Sequence, residues 1–264
     1  MIEDIPTLTR KPYIKRLAVF SGRYTEKSFL SLIIAPITIC IYPATLWSAV
    51  TLSFATAWQV VVSFVLSEVF SAPPFSLSTA QIGYIYAGPV SGALIGAAIC
   101  GMLSDRVAEI CARKNNGIYE PEFRLFLVVG IAFFMGLGFF LFGILIEAGK
   151  SPVVAAVAWG ISLIGFQFCS TAIGTYMVDG YERISIEVFI ISMIFKNFLF
   201  FGFTFFINGW IARWGPARMF NCIGGIQLGI CALTIPVYIY GKICRHAFGH
   251  HGVSREEKPC TLTK

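Results

Sequence analysis

Three polar side chains stand deep inside apolar runs and are the first candidates for chemistry: Gln59, Gln167 and Lys196. Hydrocarbon offers no hydrogen bonds, so such groups need water, a ligand or a partner side chain. Lys196 lies ten residues into the run 186–211, roughly 15 Å deep at the helical rise. Counted back from the far end of the run 153–178, Gln167 reaches about the same depth and is a plausible hydrogen-bond partner for it. Asn197, Thr204 and Asn208 recur at i, i+7 and i+11, which is one stripe of a helix. Gln59 follows Trp58 in the run 44–69. Intramembrane groups of this kind mark ion or substrate pathways, and Gln59, Gln167, Lys196 and Asn197 are the expected substrate or coupling residues. The plainer alternative is that the amides join helices and Lys196 snorkels to the interface.

Other reactive types are poorly placed for catalysis. All three histidines, His246, His250 and His251, are in the last 20 residues, beside Gly249 and Gly252. The eight cysteines form no C-x2-C pair, and Cys169, Cys222 and Cys231 lie within apolar runs, as reduced structural thiols would. Asp179, Glu182 and Glu187 are the one acidic cluster near a membrane face, and a solvated loop accounts for them. No catalytic residue, metal site or cofactor is expected, and an embedded enzyme is the weakest of three functional readings.

The elements that must position these residues follow from composition. Of 264 residues, 56% are hydrophobic and 13% are charged, against about 45–50% and about 25% in soluble domains. The pattern predicts an all-α polytopic membrane protein. Apolar runs at 44–69, 82–104, 125–146, 153–178, 186–211 and 219–240 are each long enough to span, which predicts six transmembrane helices. The expected organisation is a basic segment 1–42 containing an interfacial helix at Phe29–Ile41, a spanning bundle 43–240 and a tail 241–264. No secretory signal precedes the bundle in this sequence. With six spans, sixteen Lys and Arg fall on the side of the termini and three on the other, so both termini are expected in the cytoplasm. That placement accounts for the net charge of +6 without nucleic acid, for which no stacking platform exists. A lipid bilayer is the expected surrounding.

Gly88, Gly92 and Gly96 repeat every four residues in the second run, a smooth face for close helix contact in preference to a gating hinge. Beyond it comes Gly101-Met-Leu-Ser-Asp105-Arg106, with Arg113 and Lys114 following. Asp105 could bond loop donors or a neighbouring helix start and lock two helices together. Then follows Asn115-Asn-Gly-Ile-Tyr-Glu-Pro-Glu-Phe-Arg124.

These residues carry a resemblance. Gly101, Asp105, Arg106, Arg113 and Lys114 resemble the conformational loop signature of the major facilitator superfamily, with Ala108 where a glycine is usual. The Asn115–Arg124 run is similar to a fungal branch of drug/polyamine proton antiporters, as are Tyr13-Ile-Lys-Arg-Leu17, Pro43-Ala-x-Leu-Trp47, Ser71-Ala-Pro-Pro74, Gly83-Tyr84 and Phe195-Lys-Asn197. The resemblance covers nearly the whole chain. It implies the C-terminal six-helix half of a twelve-span secondary transporter of the plasma membrane. The first and fourth spans, with Gln59 and Gln167, would then line a central cavity. It further implies a small amphiphilic or cationic substrate exchanged for protons, and a partner in the missing N-terminal half or a second copy. The alternative is a transport-incompetent half acting as an interaction or regulatory membrane protein.

Overall fold

A computed structural model describes residues 42–73, 75–181 and 184–241. The basic stretch before residue 42, with the expected interfacial helix, lies outside the described residues. So do Glu182, Arg183 and the tail from residue 242 with its histidines. No described residue is in a strand. Among the described residues, five helices are long and apolar enough to cross a membrane: α1 (Pro43–Ser71), α2 (Thr79–Lys114), α3 (Pro121–Glu147), α4 (Pro152–Gly180) and α5 (Ser185–Gly241).

Local chemistry sets their limits. Pro43 and Pro152 occupy the first turns of α1 and α4, where the missing N–H costs nothing. Ser78 caps α2 reciprocally with Gln81: Ser78 N–H donates to Gln81 Oε1 at 2.9 Å, and its hydroxyl accepts from Gln81 N–H at 3.4 Å. Within α2, Tyr86 forms a turn between Ile85 and Ala87. The helix then runs to Lys114, ten residues past its expected end at 104. Its polar end stays helical with the help of an Arg113–Glu109 pair one turn apart. It stops where Asn116 and Gly117 take φ values of 55° and 82°. α3 opens with a 3-10 turn, Pro121–Leu127, and contains a π turn, Ile131–Met135.

α5 differs from the expectation of two separate runs. Its 57 residues would make a rod of about 86 Å if straight, against about 30 Å of hydrocarbon. It is broken at Gly215, where φ is 76° and ψ 161°, with Pro216 next. Before the break its contacts climb α1 in the same direction. Ser53 Oγ donates to Ser192 O at 2.8 Å, Trp58 stacks on Phe203 at 4.8 Å, and Ile211 shares a cavity wall with Glu68. After it they descend α3 in the opposite direction. Phe142 meets Phe220 at 4.9 Å, Gly136 faces Leu228, and Phe126 meets Tyr238 at 5.3 Å. The chain doubles back at Gly215. Glu147 Oε2 accepts the Ala217 N–H at 2.9 Å, supplying an acceptor and a negative charge at the start of the second arm.

The glycine stripe of α2 is a backbone contact. A Cβ on Gly92 would lie 2.7 Å from Gly160 Cα, and one on Gly96 2.9 Å from Ile164 Cα. Gly88 meets Ala156 in the same way. Close approach of α2 and α4 is what holds the candidate residues in register.

Candidate functional site

Two groups of side chains carry chemistry, one between the helices and one at their ends. The first is built on Gln59. Its Oε1 accepts from Trp159 Nε1 at 3.0 Å and from Ser162 Oγ at 3.4 Å. Its Nε2 points toward the Ser162 carbonyl at 3.5 Å. One turn further along α1, the Ser63 and Tyr86 hydroxyls are hydrogen-bonded at 2.6 Å, and the Tyr86 ring packs edge-on against Trp159 at 5.0 Å. Gln59, Ser63, Tyr86, Trp159 and Ser162 therefore form one polar, aromatic-walled group where α1, the turn in α2 and α4 meet. It exists there because the small residues of α2 let Tyr86 approach α4. Trp159 and Ser162 are buried and Gln59 and Tyr86 half-buried, so the group's hydrogen bonds are made inside the bundle.

The other expected site residues are arranged differently. Gln167 lies five residues beyond Ser162 on α4, and its Nε2 donates to Ala93 O of α2 at 3.2 Å, not to Lys196. Lys196 is half-buried on the α5 stripe between Ser192 and Phe203, the two residues that touch α1. It has no hydrogen bond or ion pair with another described residue. Asn197 turns away, onto an exposed apolar face with Ile190, Met193 and Ile194. Successive helical residues are about 100° apart, so Lys196 and Asn197 cannot share a wall.

The second group joins three helix ends. Arg124, at the start of α3, has a side chain 14% exposed. Its Nη1 donates to Ser104 Oγ at 2.6 Å and to Asp105 Oδ1 at 2.9 Å on α2. Its Nε donates to Asp179 Oδ2 at 3.2 Å on α4 and to Tyr119 OH at 3.1 Å. Tyr119 OH in turn donates to Asp179. Burial and the bond to Asp179 push the Tyr119 phenol above its usual range, so it remains a donor at neutral pH. The guanidinium fork spans two carboxylates on different helices, which a lysine could not do. Asp105 meets Arg124 of α3 at the exposed edge of this group, with a side chain 82% exposed. The solvated-loop reading of Asp179 is corrected, because this carboxylate is engaged by Arg124 and Tyr119. Gly101, Arg106 and Lys114 are exposed, and Arg113 is engaged within its own helix by Glu109. Sequence reading missed Arg124, Tyr119 and Ser104 here, and Ser63, Tyr86, Trp159 and Ser162 in the first group. The one available signal was the specific Asn115–Arg124 run, which contains two of them.

Apolar helices of spanning length make this a helical integral membrane protein. Comparison with known proteins agrees. Protein HOL1 of Saccharomyces cerevisiae is 29% identical over 245 residues, covering 89% of this chain and 41% of that protein. An uncharacterized MFS-type transporter of Schizosaccharomyces pombe is 25% identical over 250 residues, 91% of this chain and 42% of its own length. MFS-type transporter penM of Penicillium rubens is 25% identical over 256 residues, with 87% and 45% covered. Two of these three fungal relatives are named as MFS-type transporters, which are not enzymes, and the chain spans less than half the length of each of the three. No family model and no solved structure matches the chain.

Proposed function

We propose that this chain forms the C-terminal six-helix half of a major-facilitator-type secondary transporter of small molecules. The observation that carries the reading is the Gln59 group, which gathers two aromatic rings, an amide and three hydroxyls between α1, α2 and α4. The sixth span is the second arm of α5, and the reversal at Gly215 supports that count. Gln59 and Lys196 bind substrate or the coupling ion on a wall that a second half completes. Gln167 supports that wall by fixing α4 to α2, and Asn197 contributes from the adjacent exposed face of α5. The Arg124 clasp, with Asp105 at its exposed edge, holds α2, α3 and α4 together so that this half rocks as one body. The signature residues Gly101, Arg106, Arg113 and Lys114 lie on the surface facing the partner half. The substrate is small and amphiphilic or cationic, exchanged for protons. Both termini are cytoplasmic, supported by the sixteen-to-three basic bias, and the membrane is the plasma membrane, which rests on the family resemblance alone.

The test is transport by the chain joined to the N-terminal half of a relative, normalised to surface expression. Saturable uptake that falls with Gln59→Ala and with Lys196→Met supports the assignment. Saturable uptake by the isolated, demonstrably monomeric chain in liposomes would overturn the half-transporter reading, because one half supplies only one wall.

A further inference from the structure

On α1 and the first arm of α5 the described charged residues are Glu68, Glu187, Lys196 and Arg213. Three of them stand near the ends of the two helices, and Lys196 alone lies deep between them. Glu187, the nearer carboxylate along α5, is about 13 Å away at the helical rise. The described ion pairs lie elsewhere, at Arg113 and Arg124. The Lys196 ammonium therefore has no counter-charge among the described residues, a costly state at that depth. Trp58 adds a second unmatched donor. Its side chain is 1% exposed, and its indole N–H has no hydrogen-bond partner among the described residues. Two donors without acceptors define what the seam calls for, a group that brings acceptor oxygens and a negative charge.

The helix face that carries Lys196 is aromatic. Lys196, Phe203 and Trp210 recur every seven residues and so share one stripe of α5. Phe203 stacks on Trp58 at 4.8 Å, and ring contacts continue from Phe203 to Phe206 at 5.6 Å, to Trp210 at 5.9 Å and to Trp214 at 6.3 Å. The ladder runs from Trp214, 51% exposed beside the break at Gly215, down to Phe203, about 10 Å along the helix from Lys196. Such rings offer stacking to a flat ligand along their whole length. We propose that Lys196 and this ladder bind a planar aromatic carboxylate, its ring against the ladder's inner end and its carboxylate on the Lys196 ammonium. The inference rests on the half-transporter reading and narrows its substrate to an amphiphilic anion. A phospholipid phosphate stays at the interface, roughly 15 Å from Lys196. An acyl chain brings no charge, and an organic cation would be repelled by the ammonium.

The experiment uses the chain joined to the N-terminal half of a relative, in lipid nanodiscs, with radiolabelled 1-naphthoate as the probe. Its neutral analogue of similar shape, 1-naphthamide, is the competitor. Saturable binding is expected, displaced by unlabelled naphthoate and roughly tenfold less well by the amide. Lys196→Met should weaken naphthoate binding about tenfold and erase the preference for acid over amide, while Lys196→Arg restores most of it. Lys196→Gln replaces Lys196→Met should that variant fail to give a monodisperse protein. Phe203→Ala should weaken acid and amide alike, several-fold, through lost stacking. Binding that Lys196→Met leaves unchanged, or an amide that displaces as well as the acid, would overturn the proposal. Equal weakening of acid and amide by Lys196→Met would also overturn it, by assigning the ammonium to a carboxylate of the second half. In each of these cases saturable uptake by the joined chain leaves the transporter reading standing. Absence of any saturable uptake brings down that reading, and this inference with it.

Discussion

Replacing Gly92 by alanine isolates the contact on which the Gln59 group depends. The new methyl would sit 2.7 Å from Gly160 Cα and closer still to that residue's carbonyl, all rigid backbone. Nothing can yield locally, so α2 must move away from α4. Overpacking of this kind costs about 1–3 kcal/mol. Alanine also favours the helix over glycine by about 1 kcal/mol, which partly offsets the loss. Gly101 provides the control, because nothing lies within 4 Å of a Cβ built there. Gly101→Ala gains the propensity without the clash. The two variants should therefore differ by about 1–3 kcal/mol, or roughly 5- to 150-fold in the unfolding equilibrium. The assay is reversible unfolding of the purified chain in mixed micelles, followed by circular dichroism. If Gly92→Ala proves as stable as Gly101→Ala, α2 and α4 do not meet through that stripe.

Further perturbations have defined outcomes. Arg124→Lys keeps the charge but loses the fork across Asp105 and Asp179. Hydrogen exchange over residues 115–124 should rise several-fold, while the region around Gln59 stays protected. Tyr119 is an acid whose folded pKa is raised, so its contribution to stability is complete below the ordinary phenol value near 10 and fades as pH climbs through the folded one. Wild-type stability should thus be flat from neutral to mildly alkaline pH as far as this residue is concerned, with a decline at strongly alkaline pH that Tyr119→Phe lacks. Gly215→Ala forces a Cβ into a positive-φ, extended conformation that is essentially glycine-only and should cost roughly 1–3 kcal/mol, measured by thermal unfolding. In the joined transporter, Lys196→Met should leave surface expression unchanged or higher while transport falls sharply; a normal ratio of transport to expression would remove Lys196 from the site.

Much of the architecture is legible in the sequence because membranes impose a coarse rule. Long apolar runs bounded by Pro43, Pro73, Gly149 and Pro152 mark α1, α3 and α4 with little ambiguity. The far end of α2 is harder, since Asp105–Lys114 reads as a polar loop although Glu109 and Arg113 sustain a helix there. The site is less legible. Gln59 and Lys196 stand out by polarity alone, but the partners of Gln59 lie 100 residues away on α4, and no local pattern links them. Arg124 and Asp179, 55 residues apart, read separately as loop charges, and only the fold makes them a pair. Lys196 and Asn197 are neighbours in sequence and strangers in space, a distinction that helical geometry alone supplies.

The reversal at Gly215 is where the six-span account stands or falls. With the native cysteines replaced, single cysteines at Asn116, Ser151 and Arg213 can be labelled from outside intact cells with a membrane-impermeant maleimide. Six spans with cytoplasmic termini put Ser151 and Arg213 outside and Asn116 inside. Labelling should therefore be strong at the first two and absent at Asn116 until the membrane is permeabilised. Protection of Arg213, or its labelling together with Asn116, would mean that α5 does not cross twice and that this chain is not a six-helix half.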